Sequence, residues 1–248
     1  PQFSKVDYEG ADILDVIPDV YDNVGILDIK AMYHSNADKY NISWDTLDEE
    51  GQDCGNGTKF SQKNKGLLVR QMDKMTDLRN IFKMKMIMSE GSEQRKWDTM
   101  QFAAKTLVAS MYGVCGDAKY GMYHPEIAAA ITFTSRETLG ELMVEAQRVG
   151  FNVIYGHTDS VFCEIPSPEE GMSRLAEINE RMSPIITQFE KWCPRIILVA
   201  KNRYTAKVIW SDGNYHDSNI YVKGIEMKQS RMPSVMKQAM HTTIEGIL

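Results

Sequence analysis

An α+β fold is predicted for this chain of 248 residues: an antiparallel sheet flanked by helices, with an antiparallel helical hairpin inserted into it. Three observations predict it. Phe151 to Ile165 places two apolar, β-branched and aromatic runs around a short polar centre, Gly156-His157-Thr158-Asp159-Ser160, which is the pattern of a tight β-hairpin. Lys65 to Met88 and Glu93 to Tyr112 both carry apolar residues at spacings of three and four, with Ser89-Glu-Gly-Ser92 breaking the pattern between them. Three further strand patterns follow late in the chain, at Arg195 to Ala200, Tyr204 to Trp210 and Asn219 to Val222.

Composition sets outer bounds. Charged residues make up 25% and the net charge is −6. An acidic balance argues against a free-standing nucleic-acid binder, while allowing local basic faces or acids gathered around a metal. No apolar run is long enough for a membrane helix, so no membrane role is expected, and no signal peptide opens the chain. The cysteines Cys54, Cys115, Cys163 and Cys193 lack metal-like spacing and read as reduced, buried thiols. Most of the sixteen methionines read as core filler.

In chain order, residues 1–22 form a Pro- and Asp-punctuated opening arm with a short strand pattern near Ala11 to Ile17. Val24 to Ile29 reads as a buried strand with Asp28 as its one charge, and a buried acid needs a partner or a metal. A helical turn begins at Ala31 and carries Tyr33. Ser43 to Asn64, polar and Gly-rich, reads as a loop with little fixed structure. The first hairpin helix puts Leu68, Met72, Met75, Leu78 and Phe82 on one stripe, and Arg79 and Lys83 on one face. Ser92 is the expected cap of the second helix, Lys105, Ala109 and Tyr112 share a face of it, and Gly113 ends it. Pro125 to Arg148 reads as a long helix closed by Gly150. Another runs from Pro168 to about Trp192, and a last one fills Pro233 to Leu248.

Asp159 at a hairpin tip is also what a solvated turn looks like, and its companions decide the reading. Asp28 with its following Lys-Ala-Met-Tyr-His-Ser, Lys105-Thr-Leu-Val-Ala-Ser-Met-Tyr-Gly113, Tyr155-Gly-His-Thr-Asp-Ser160 and Lys201-Asn-Arg-Tyr204 stand in a fixed order. So do Lys223-Gly-Ile-Glu-Met227 and Glu9-Gly-Ala-Asp12. In that order and spacing the chain resembles the palm and fingers of a family B DNA polymerase over nearly its whole length. The resemblance implies palm at 1–48, fingers at 49–112 and the rest of the palm at 113–248, ending at the approach to a thumb. It implies template-directed DNA synthesis on a primer 3′-hydroxyl from dNTPs, with two Mg²⁺ ions. Asp28 and Asp159 are then the catalytic carboxylates, which hold the ions with the carbonyl of Ile29. Arg79, Lys83 and Lys105 grip the triphosphate, Tyr33 lies under the sugar and rejects a 2′-hydroxyl, and Tyr112 packs near the nascent base pair. Thr158, Lys201, Arg203 and Tyr204 contact primer–template DNA. A cytoplasmic or nucleoid-associated location, with a viral origin possible, is implied too.

Several residues depart from that pattern. His157 stands where the turn usually has its first Asp, Ala109 where Asn is usual, His34 where Pro is usual, Asn36 where Ile is common, and Asn202 where a Lys is usual. The span before Asp28 is too short for an exonuclease domain and no thumb follows Leu248, so such domains or subunits are expected as partners. These departures keep a second reading open: a catalytically impaired polymerase-like subunit that binds primer–template DNA or a replication partner. A two-metal nuclease is a third, opposed by Tyr33 and the cationic helix, which a nuclease does not need.

Overall fold

The structure, a computed structural model, describes residues 16–225 and 232–248. The Glu9-Gly-Ala-Asp12 motif, most of the strand expected near Ala11 to Ile17, and Glu226 and Met227 lie outside the described residues. The chain packs as two compact units, residues 31–136 and, among those described, residues 16–30 with 137–248. The division falls inside one long helix, α4 (Pro125–Arg148), whose ends match the sequence reading.

The second unit is built on one six-stranded antiparallel sheet, in the order β4-β5-β1-β6-β7-β8. Its middle is β1 (Asp19–Ile29), in which Val24, Gly25, Ile26 and Leu27 are all buried. A strand covered on both faces needs such an unbroken apolar run. Gly25 is required there because a Cβ would come within 2.6 Å of both Ile165 and Phe189. The hairpin β4 (Asn152–His157) and β5 (Ser160–Glu164) lies on one side of β1. On the other side follow β6 (Thr187–Ala200), β7 (Arg203–Ser211) and β8 (Asn214–Lys223). Asp212 and Gly213, both at positive φ, make the two-residue turn between β7 and β8. One core layer gathers Val24, Ile26, Tyr155, Phe162, Ile196 and Tyr204. The unit is completed by α5 (Pro168–Met182), capped by the Ser167 hydroxyl, and α6 (Ser234–Ile247).

One expectation fails here. The helix read as running to Trp192 stops at Met182, and Thr187 to Trp192 begins β6. Pro184 is the reason: it has no N–H to continue the helix and forces Ser183 out of helical geometry, to ψ 135°. The Trp192 indole then donates to the Ile165 carbonyl at 2.8 Å, as a sheet residue.

The first unit holds α1 (Met32–Tyr40), a two-stranded sheet of β2 (Leu47–Asp53) and β3 (Lys59–Phe60), α2 (Leu67–Ile87), α3 (Gly91–Gly116) and the start of α4. Leu68 and Met72 are buried, while Met75, Leu78 and Phe82 are half-buried, and Phe82 stacks on Trp97 of α3 at 5.8 Å. Ser43 to Asn64 is more ordered than the sequence suggests. Asp53 Oδ1 accepts from the Gly55 and Gly57 amides at 2.7 and 3.1 Å, which closes the β2–β3 hairpin. Asn41 ties the segment down, donating to the Ser61 and Asn64 carbonyls and accepting from the Gly66 amide. Two further corrections concern α3. Its N-cap is Glu90, without a side-chain cap hydrogen bond, and not Ser92. It continues through Gly113 to Gly116, because burial of Cys115 outweighs the ~1 kcal/mol cost of one helical glycine.

Candidate active site

Strand pairing brings the two acids together. Asp28 sits at the end of β1, directly opposite Ser160 on β5 and Gln188 on β6. Asp159 and Thr158 form the two-residue turn between β4 and β5. The Ile29 amide donates to the Asp159 carbonyl at 2.7 Å, so the turn is stitched onto the end of β1. Ser160 Oγ donates to Asp28 Oδ1 at 3.0 Å and lies 3.4 Å from Asp159 Oδ1. Gln188 Nε2 donates to Asp28 Oδ2 at 2.9 Å, which fixes the plane of that carboxylate.

The electrostatics are those of an under-compensated acid pair. Burial, and then the charge of Asp159, push the Asp28 carboxyl up to about 6, against the hydrogen bonds from Ser160 and Gln188. Burial likewise raises Asp159, against a backbone hydrogen bond and the nearby His157 and Lys223. Two carboxylates that resist ionising, held on paired strands, form a site that a cation would stabilise. Among the described residues no group of three or more His, Cys, Asp or Glu side chains is placed to hold a metal. The acidic oxygen donors that the strand pairing brings together are these two carboxylates.

Thr158 adopts φ 50°. A β-branched residue at positive φ is strained, and such strain persists only where the surrounding structure fixes it. His157, half-buried beside Tyr155, has its pKa lowered by burial and then by the Lys223 charge, against a hydrogen bond with the Asn202 side chain. It is neutral at pH 7 and so does not supply the negative charge an Asp would add there.

The β6–β7 turn approaches the same strand ends. The Asn202 amide donates to the Tyr155 hydroxyl at 3.1 Å, and Arg203 Nε donates to the Gly224 carbonyl at 3.2 Å. Gly224 is at φ 64°, and a Cβ there would lie 2.0 Å from the Asn202 carbonyl oxygen, so only glycine fits. Lys201 is exposed and Arg203 half-buried. Tyr204 is a core residue, 5% exposed, with its ring against Phe162 and Tyr221. Burial foremost, with Tyr221 next, keeps its hydroxyl protonated.

The other expected site residues belong to the first unit. Tyr33 on α1 and Tyr112 on α3 pack ring against ring, with centroids 4.7 Å apart. Arg79 and Lys83 are one turn apart on α2, and Arg79 Nε is buried without a hydrogen-bond partner. Lys105 and Ala109 are exposed on α3, two turns and one turn before Tyr112 respectively. Sequence reasoning missed Gln188, because its segment was assigned to a helix, and Ser160 as a tie between the acids. The period-two pattern after Pro184 was the available signal for the first.

The chain matches DNA polymerase family B over residues 1–248. It is 30% identical over 248 residues to a DNA polymerase of Archaeoglobus fulgidus, across 97% of this chain and 31% of that protein. It is 27% identical to the DNA polymerase alpha catalytic subunit of Oryza sativa, across 89% of this chain and 15% of that protein. The solved structure of the family B DNA polymerase from Pyrobaculum calidifontis superposes with a TM-score of 0.66 at 26% identity, covering 91% of this chain and 30% of that one. The chain thus spans about a third or less of the length of the relatives it matches. With one sheet carrying both acids and a family match that runs the whole length, this chain belongs to DNA polymerase family B.

Proposed function

We propose that this chain is the palm and fingers of a template-directed DNA polymerase, adding dNTPs to a primer 3′-hydroxyl on primer–template DNA. The observation that carries the reading is the convergence of Asp28 and Asp159, both held above the ordinary carboxylate range, at the paired ends of β1 and the β4–β5 turn. The donor set fits a hard divalent cation such as Mg²⁺: Asp28, Asp159 and the Ile29 carbonyl are all oxygen ligands. Two such ions, when bound, supply Lewis-acid activation of the primer oxygen and neutralisation of the leaving pyrophosphate.

The chain's own residues do the rest. Ser160 and Gln188 hold the Asp28 carboxylate in one orientation, so that it does not have to reorganise during transfer. Arg79, Lys83 and Lys105 receive the triphosphate, and the unpaired Nε of Arg79 is a donor with room for one more acceptor. Tyr33, backed by Tyr112, is the platform beneath the sugar that excludes a 2′-hydroxyl. Lys201 and Arg203 contact the DNA backbone, while buried Tyr204 supports their turn from beneath. The sheet unit is the palm and the α2–α3 hairpin is the fingers. Domains beyond this chain complete the grip on duplex DNA.

One observation favours a second reading, an impaired subunit that binds primer–template without extending it: a neutral His157 in place of an acid at the turn. Primer extension with Mg²⁺ separates the two. Extension by the wild type that is lost in Asp159→Ala is the expected result. Activity seen only in His157→Asp would mean that the turn has lost its chemistry while the fold is kept.

A further inference from the structure

Helix α1 carries Tyr33 and has little to hold it in place by itself. It is nine residues long, shorter than an isolated helix needs in water. Its N-cap is Ala31, in left-handed geometry at φ 49°, and no side chain caps it. Its packing face is short, with Met32, Asn36 and Ala37 as the buried residues.

Ala37 joins the buried core, and Tyr33 and Tyr40 pack against it; the contacts that fasten the helix to α2 in one register are polar. His34, next to Tyr33, is 14% exposed, and its Nε2 donates to Asp73 Oδ1 on α2 at 2.8 Å. Its Nδ1 lies 3.4 Å from the Thr76 hydroxyl, one turn further along α2. The Nε2–H tautomer satisfies both contacts, so the ring is fixed at both nitrogens. The other oxygen of Asp73 accepts from Lys65 Nζ at 2.6 Å, and Lys65 reaches back to Asp38 on α1 at 2.9 Å. His34 and Asp38 are one turn apart, so α1 is clamped to α2 at two points along a single face. The clamp joins the helix that carries Tyr33 to the helix that carries Arg79 and Lys83.

We propose that the His34–Asp73 pair, seated by Lys65 and Thr76, positions Tyr33 and thereby sets how strongly the protein prefers deoxynucleotides over ribonucleotides. This rests on the reading of Tyr33 given above. An aromatic side chain that excludes one hydroxyl group must be held to a fraction of an ångström, and an uncapped short helix does not provide that by itself. Neither His34 nor Asp73 touches the nucleotide; both act through Tyr33.

The test is equilibrium binding of dCTP and rCTP to the whole protein on a dideoxy-terminated primer–template with Ca²⁺, which needs no turnover. The dissociation-constant ratio and the Tm are measured for wild type, His34→Ala, Asp73→Ala, the double variant, His34→Gln and Tyr33→Ala. Both single alanine variants should lower the dCTP preference about tenfold, the double variant no further, and His34→Gln, which still donates to Asp73, should restore most of it. Folded alanine variants with an unchanged ratio, beside a Tyr33→Ala that abolishes preference, would reduce the pair to a structural clamp and overturn the proposal. An unchanged ratio in Tyr33→Ala would overturn the reading of Tyr33 itself, and this proposal with it. If either alanine variant fails to fold, Thr76→Val decides: it removes only the Nδ1 contact, and an unchanged ratio there refutes the proposal.

Discussion

Asp28 illustrates how much one carboxyl can reveal. Its folded-state pKa of about 6 lies above the ordinary value near 3.9, so the folded protein binds its proton more tightly than the unfolded chain does. Stability from this group is therefore fully present below about pH 4 and is lost as pH rises to about 6. Asp159 is raised as well and acts with the same sign. Asp28→Asn should remove much of that loss and, without divalent cations, stabilise the protein at pH 7.5 by ~1–2 kcal/mol after allowance for solvent screening. Thermal melts from pH 4 to 8 check this, and a variant no more stable than wild type at pH 7.5 would contradict it. The same substitution should abolish primer extension. A group that weakens the fold while serving the chemistry is what a functional site looks like.

At the scale of elements, two glycines give opposite predictions. Gly25 in β1 has no room for a methyl group, with Ile165 and Phe189 both 2.6 Å from a Cβ position. Gly25→Ala should cost ~1–3 kcal/mol by overpacking, read as a lower urea midpoint at an unchanged slope. Gly113 in α3 is exposed, helical and has nothing within 4 Å of a Cβ position. Gly113→Ala should stabilise by ~0.5–1 kcal/mol in the same assay. The elements also show where sequence patterns work. α4 and the β4–β5 hairpin were legible because long periodic helices and two-residue turns carry their own signals. The start of β6 was not, since a strand paired on both sides can share the composition of a helix until Pro184 is weighed. The β2–β3 hairpin was not either, because its order comes from Asn41 reaching across the chain to Ser61, Asn64 and Gly66.

For the molecule as a whole, the acid pair predicts a linkage between ion binding and stability. Adding Mg²⁺ at pH 7.5 should raise the Tm of the wild type, by ~2.7 kcal/mol of stabilisation at a hundredfold excess over the dissociation constant. EDTA should reverse the rise, and Asp28→Asn and Asp159→Asn should each lose most of it. An equal rise in all three proteins would assign the effect to some other site. His157→Asp should lower the metal-free Tm, by adding a charge to an under-compensated pair, and enlarge the Mg²⁺ shift. The sequence by itself determined the class of fold and the order of the motifs, and it singled out Asp28 as the one charge in a buried strand and Asp159 as an acid at a hairpin tip. These depend on local periodicity, turn chemistry and residue type, which are written along the chain. Only the tertiary structure decided what surrounds them: Ser160 and Gln188 on Asp28, Asn202 beside His157, Tyr204 in the core, and Asp73 on His34. The hydrogen-bonded pairs among these join residues 39 to 160 positions apart, brought together by sheet register and helix packing, and long-range pairing of that kind leaves no periodic trace in a single sequence.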